Sequence, residues 1–373
     1  MMQKTIDYTF KMLYVLAIIM IVDGHIGRYN YLDLNGLLSY QDFHIGLFIF
    51  TSGYFLNLKR DFKDFFITKF SKLIIPLYAW NLFYGILCQY LNRYHGFSLG
   101  GPLSAYNLLI APLTDGHQYI YNMASWFIIP LFLTQTISFT ILKPYAKKDG
   151  TIPSYYSLIF FIFSLILGAL ALHFAPQNTG TRNFALMTWR TLFFLPVYGF
   201  GYLYRQILIK YDKLNTPTYL FILLSIIALL NYFYPNYHII PSWLDSTPAP
   251  IIVIYTACFI SILFWVRISK TMTPLIKESR IMQYIADHTF DIMMHHFIGF
   301  MIIKSLFQGF KDFDMLKYKT DIWYYYFPSW EPLTEWLYIS ITLVIGLLIG
   351  FTSRYFYGTI RQFRGEKHYK KIN

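Results

Sequence analysis

Charge and cysteine are what this chain is short of. Only 13% of its 373 residues are Asp, Glu, Lys or Arg, and it has two cysteines. Both, Cys88 and Cys258, fall inside apolar runs, which argues against a disulfide framework and for thiols packed as small hydrophobes. Acid is scarcer than base, 19 residues against 31. No small-residue cleavage site follows the first apolar segment, which itself carries Lys11, Asp23 and His25, so that segment is expected to be kept as a span rather than removed. No internal repeat is visible, which speaks against a transporter assembled from two related halves.

What fills the chain instead is apolar and aromatic: 56% hydrophobic residues, 21% Phe, Trp and Tyr. Those proportions exceed a soluble domain's and imply an integral membrane protein. Ten stretches approach the length of about 17 to 25 helical residues that a hydrocarbon core requires. They lie near 11-26, 43-58, 73-91, 126-142, 155-173, 186-204, 219-234, 251-266, 284-304 and 336-356. The expected fold is all-α, a single membrane domain of about ten transmembrane helices.

The net charge of +12 invites thoughts of nucleic acid, but its distribution reads as topology. With both termini cytoplasmic, 23 Lys and Arg residues fall inside and six, namely Arg28, Arg93, Arg182, Lys311, Lys317 and Lys319, fall outside. The positive-inside rule selects this orientation. Arg190 and Lys304 lie inside or bordering spans. Attraction to anionic membrane lipids is compatible with the basic face. Abundant Ile, Lys, Phe, Tyr and Asn suit a bacterial plasma membrane. Three outer segments, near 27-42, 92-125 and 305-335, are longer than the basic connections. The third, GFKDFDMLKYKTDIWYYYFPSWEP, is read as an interfacial aromatic belt or as a platform for sugar rings.

Ionisable groups inside spans point to a pathway or a reactive centre. In the first, KMLYVLAIIMIVDGH, Lys11 and His25 are separated by about 21 Å along a helix and only roughly 40° in azimuth. Asp23 lies about 160° from His25 and can orient it only if the helix distorts at Gly24. The ninth segment concentrates Asp287, His288, Asp291, His295 and His296. Asp287, Asp291 and His295 at i, i+4, i+8 are expected to form a stripe on one helix face. His296 should lie at a depth similar to His25, letting two helices bring their imidazoles together. A metal site and a proton relay for a transporter are competing readings. Adjacent His295 and His296 diverge by about 100° and cannot chelate as an i, i+4 pair would, so no metal is expected. Ser52 and Gly53 suggest close helix packing, or a ligand against the backbone. Lys69 and Lys72, expected one turn apart at the cytosolic start of the third span, suit snorkelling or the phosphates of a donor.

Several phrases carry a family resemblance: a His closing the first span, FIFTSGYFL in the second, a basic pair before IIPLY in the third, SWFIIPLF in the fourth, FFLPVYGFGYLY in the sixth and TFDIMMHHF in the ninth. In that order the chain resembles the acyltransferase-3 family, integral membrane enzymes that modify sugars and surface polysaccharides. The family's first-helix signature is Arg or Lys, ten residues, then His. Here His25 matches, but the basic position falls on Tyr14, with Lys11 one turn earlier on nearly the same face.

The resemblance implies acyl transfer, most simply of acetyl from cytosolic acetyl-CoA or another acyl-CoA, to a surface carbohydrate or lipid-linked glycan. His25 is implied as general base or transient acyl carrier, with His296 or His295 supporting the acceptor or the developing oxyanion. Lys11, Ser52, Lys69, Lys72 and Trp126 are implied on the donor, and Tyr14, Asp23 and Asp291 as supporting residues. An exporter or flippase of a surface glycan is the alternative.

Overall fold

The computed structural model describes residues 7–26, 32, 34, 36–175, 183–235, 237, 239–246, 250–328 and 331–363. Arg28, Arg182, Lys4 and the basic residues from Arg364 onward, which entered the charge argument, lie outside the described residues. Among the described residues the fold is all-α apart from one antiparallel pair of two-residue strands, β1 (Ile239–Ile240) and β2 (Asp245–Ser246).

The helices are α1 (Tyr8–Ile26), α2 (Tyr40–Tyr54), α3 (Phe62–Lys69), α4 (Ile75–His95), α5 (Ile128–Leu142), α6 (Ser154–Phe174) and α7 (Phe184–Gln206). Then follow α8 (Thr216–Phe233), α9 (Ile251–Thr271), α10 (Thr273–Glu278), α11 (Arg280–Asp287), α12 (Thr289–Leu306), α13 (Met315–Thr320) and α14 (Glu331–Phe363). Seven helical segments among the described residues are long and apolar enough to cross a membrane: Tyr8–Ile26, Phe62–His95, Ile120–Tyr145, Ser154–Phe174, Thr216–Phe233, Ile251–Thr271 and Leu333–Tyr355. The three other expected spans fall on α2, with only 15 residues, on α7, and on the pair α11 and α12.

α1 is apolar on nearly all sides because it is wrapped on nearly all sides. Its apolar window is 72% buried, against 11% for peripheral α8, and it packs on α2, α9, α11, α12 and α14. That central seat brings His25 against His296 and Phe297 of α12. α2 crosses α7 with almost no separation. A Cβ on Gly53 would stand 2.0 Å from the Tyr198 carbonyl oxygen, and one on Gly201 2.0 Å from that of Phe50. The two glycines are the crossing point, by the small-residue logic of membrane helix packing.

Cations close the helix ends on one face. Arg205 donates to the Tyr54 and Leu56 carbonyls at 2.8 and 3.0 Å, satisfying acceptors that the end of α2 leaves open. Lys143 donates to Leu58 at 2.7 Å. Arg267 pairs with Asp212 and donates to Leu214 at 2.9 Å. The start of α1 reaches the same face, where Phe10 packs on Tyr54 with centroids 4.1 Å apart.

The ninth expected span is not one helix, and the predicted stripe of Asp287, Asp291 and His295 is therefore not continuous. α11 ends at Asp287 and α12 starts at Thr289, with His288 between them at φ −124°. The His288 ring hydrogen-bonds to the Tyr284 carbonyl at 2.7 Å, and the His288 backbone N–H turns to Ile285 at 3.1 Å. The imidazole thus takes the carbonyl that a regular i→i−4 bond would use.

Candidate active site

His25 occupies the last turn of α1 and is half-buried. Its Nδ1–H donates to the Ile21 carbonyl at 2.6 Å. Because a carbonyl only accepts, the proton of the neutral ring sits on Nδ1, and Nε2 carries a lone pair. α1 stays helical through Gly24, so buried Asp23 remains on another side, and it is Ile21 that orients the ring.

His296 meets His25 from α12, with ring centroids 4.9 Å apart and planes tilted by 50°. It too is fixed by its own helix, Nδ1–H donating to the Met293 carbonyl at 2.7 Å. Among the described residues its buried Nε2 has no hydrogen-bond partner. Two imidazoles from two helices thus present the same tautomer, each with Nε2 not used by its helix. Phe297 stands edge-on to His25 at 5.0 Å, and Trp323, from the segment after α13, lies nearly parallel to it, 6.1 Å away at 7°.

His295, adjacent in sequence, turns to α4. Its Nδ1 lies 2.7 Å from the Tyr84 hydroxyl, and its ring meets Trp80 edge-on at 4.2 Å. The divergence expected of neighbouring helical residues separates the two histidines into different environments. Among the described residues, no three His, Cys, Asp or Glu side chains stand together as a metal-binding group.

The residues implied on the donor or in support are spread over several elements. Lys11 pairs with Asp287 at 2.8 Å, and Tyr14 stacks on Phe48 at 5.5 Å. Asp291 pairs with Arg354 of α14. That carboxylate fits because α14 carries Gly350, where a Cβ would lie 2.6 Å from the Asp291 Cβ. Ser52 is half-buried beside the Gly53 crossing, and the α7 backbone fills the space a ligand would need against Gly53. Lys69 ends α3, its ammonium 5.7 Å from the Phe65 ring, and exposed Lys72 sits in a π-helical turn, Phe70–Ile74. The regular α-turn expected between the two lysines is replaced by this wider winding. Such π-turns are frequent at functional sites.

Trp126 lies in a 3-10 helix, Ile120–Phe127, with the Arg190 guanidinium 4.7 Å from its ring. Arg190 is fully buried and donates to the Asp115 and Ser242 carbonyls, at 2.9 Å and, through Nε, 2.8 Å. It ties two loops to α7. Gly116, at φ +74°, lets the chain pass under Trp126, where a Cβ would lie 2.8 Å from the tryptophan Cα. A groove of ≈ 650 Å³ between the π-turn, α5 and α7 is lined by apolar residues such as Phe70, Ile74, Phe132 and Met187, and none of the three histidines lines it.

Sequence reasoning missed Trp80, Tyr84, Phe297 and Trp323 as individuals. It noted Arg190 and Lys304 only as charges within or beside spans, the one signal that marked them as built into the protein.

A family model described as an acyltransferase domain matches residues 10–355. No curated protein and no solved structure matches the chain. The match begins at Phe10 in the first turn of α1 and ends at Tyr355 in α14, so it takes in His25, His296 and all the other site residues. The chain belongs to the acyltransferase-3 family of membrane acyltransferases.

Proposed function

We propose that the protein moves an acyl group, acetyl in the simplest case, from cytosolic acyl-CoA to a hydroxyl of a surface sugar outside a bacterial plasma membrane. In this reading α2, α7 and the broken α11–α12 pair complete ten spans, with both termini cytoplasmic. The orientation rests on the excess of Lys and Arg on one face. The reading is carried by the His25–His296 pair, in which both Nδ1 protons are tied to helix carbonyls while Nε2 keeps its lone pair.

His25 acts as general base. The acceptor oxygen attacks the thioester carbon while its proton passes to Nε2 of His25. The carbon–sulfur bond breaks, and the thiolate leaves with that proton. A proton taken by His25 lands beside a second imidazole, and His296 shares it through its own Nε2. Lys69 and Lys72, with Arg60 and Lys63 nearby in the chain, suit the donor's phosphates as point charges. Lys11 joins them only when Asp287 releases it.

The test compares surface glycan from cells with and without the chain by mass spectrometry. Loss of acyl groups from glycan that is otherwise exported normally supports transfer. Loss of the glycan itself from the surface supports an exporter instead.

A further inference from the structure

Lys304 is a lysine in the last turn of α12, only 2% exposed. An ammonium withdrawn from water is costly unless its donors are engaged. This one donates to the Ile322 carbonyl at 2.8 Å and lies 4.4 Å from the Tyr325 ring centroid, a cation–π distance. Both contacts grip one short stretch, on either side of Trp323. Asp321 tightens the same stretch by accepting from the Trp323 backbone N–H at 2.8 Å.

The grip is strong, yet the residue at its centre is left open. Ile322 is 6% exposed, whereas Trp323 is 52% exposed. Trp323 is also aligned, within 7° of the His25 plane and edge-on to Phe297 at 6.1 Å. A tryptophan serving only as an interfacial anchor needs neither that parallel setting nor a buried cation behind its backbone.

We propose that Trp323 is the ring on which the acceptor sugar stacks, and that Lys304 is the positioning residue that holds it over His25. This rests on the acyl-transfer reading above. A pyranose has an apolar C–H face bordered by hydroxyls. An exposed aromatic face suits the former and leaves the latter directed to the imidazole next door. Lys304 touches no reacting atom and acts through the Ile322 carbonyl.

The test uses the full chain in proteoliposomes, with radiolabelled acetyl-CoA as donor and base-deacylated surface polysaccharide from the producing cells as acceptor. Trp323→Ala is expected to raise the acceptor KM about tenfold, the scale of one lost stacking contact. Trp323→Phe should restore most of the loss. Lys304→Met should also raise the acceptor KM and add nothing in a Trp323→Ala background, whereas an independent structural defect would add.

Trp323 is half-exposed, so its substitution carries the test even where Lys304→Met fails to insert. Quenching of tryptophan fluorescence by the polysaccharide, lost in Trp323→Phe, gives a readout that does not depend on turnover. Wild-type acceptor KM and quenching in the Trp323 variants would overturn the proposal, and additive effects in the double variant would overturn the role of Lys304. Wild-type protein with Trp323-dependent quenching but no label transferred would overturn the acyl-transfer reading alone.

Discussion

His25 and His296 stand 4.9 Å apart, yet neither ring is held by the other: each donates from Nδ1 to a carbonyl of its own helix, Ile21 in α1 and Met293 in α12. Two imidazoles are thereby brought together by helix packing, each with an Nε2 that its own helix does not use and with the tautomer set before any substrate arrives.

The adjacent histidines of α12 should separate in kinetics. His296→Gln is expected to lower kcat by about a hundredfold, the low end for a lost proton-transfer partner, with both KM values little changed. His295→Gln should leave kcat within about tenfold and act on stability, since its Nδ1 is engaged with Tyr84 rather than with the pair. Steady-state rates and detergent melting curves on both variants check this.

The α2–α7 crossing should tolerate no added carbon. Gly53→Ala or Gly201→Ala places a methyl 2.0 Å from a backbone oxygen, so the helices must separate at a cost of about 1–3 kcal/mol. A drop in Tm for either variant, with none for Ser52→Ala, is the expected pattern. A donor KM unchanged in Ser52→Ala would restrict Ser52 to packing.

Much of this was legible in sequence because apolar runs in a membrane protein have few alternatives to helix. The depth argument for His25 and His296 needed only a rise per residue. The His288 break was not legible, because it depends on which acceptor a side chain chooses. The π-turn that follows Lys69 and carries Lys72 leaves no periodic mark. Nor does any local pattern single out Trp323 among its aromatic neighbours: its relation to His25 is a contact between the end of the first helix and a loop near the far end of the chain.

The Lys11–Asp287 pair is a surface contact, with side chains 20% and 55% exposed, and such pairs contribute about 0–1 kcal/mol. Asp287→Asn is therefore expected to leave Tm nearly unchanged and to lower the donor KM by releasing Lys11. Lys11→Met should raise it. Titrations with acetyl-CoA for both variants decide whether Lys11 supplies the charge that Tyr14 lacks.

Lys69→Ala with Lys72→Ala should raise the donor KM about tenfold while leaving the acceptor KM alone, and should flatten its dependence on salt, because screening acts on the charges removed. A rise confined to the acceptor KM would remove these lysines from the donor site.

The most direct test of the account is the acyl content of surface glycan made by cells whose only copy of the chain carries His25→Ala, with membrane insertion of the variant verified. The account predicts exported glycan of normal amount with no acyl groups. Acylation at the wild-type level would contradict it.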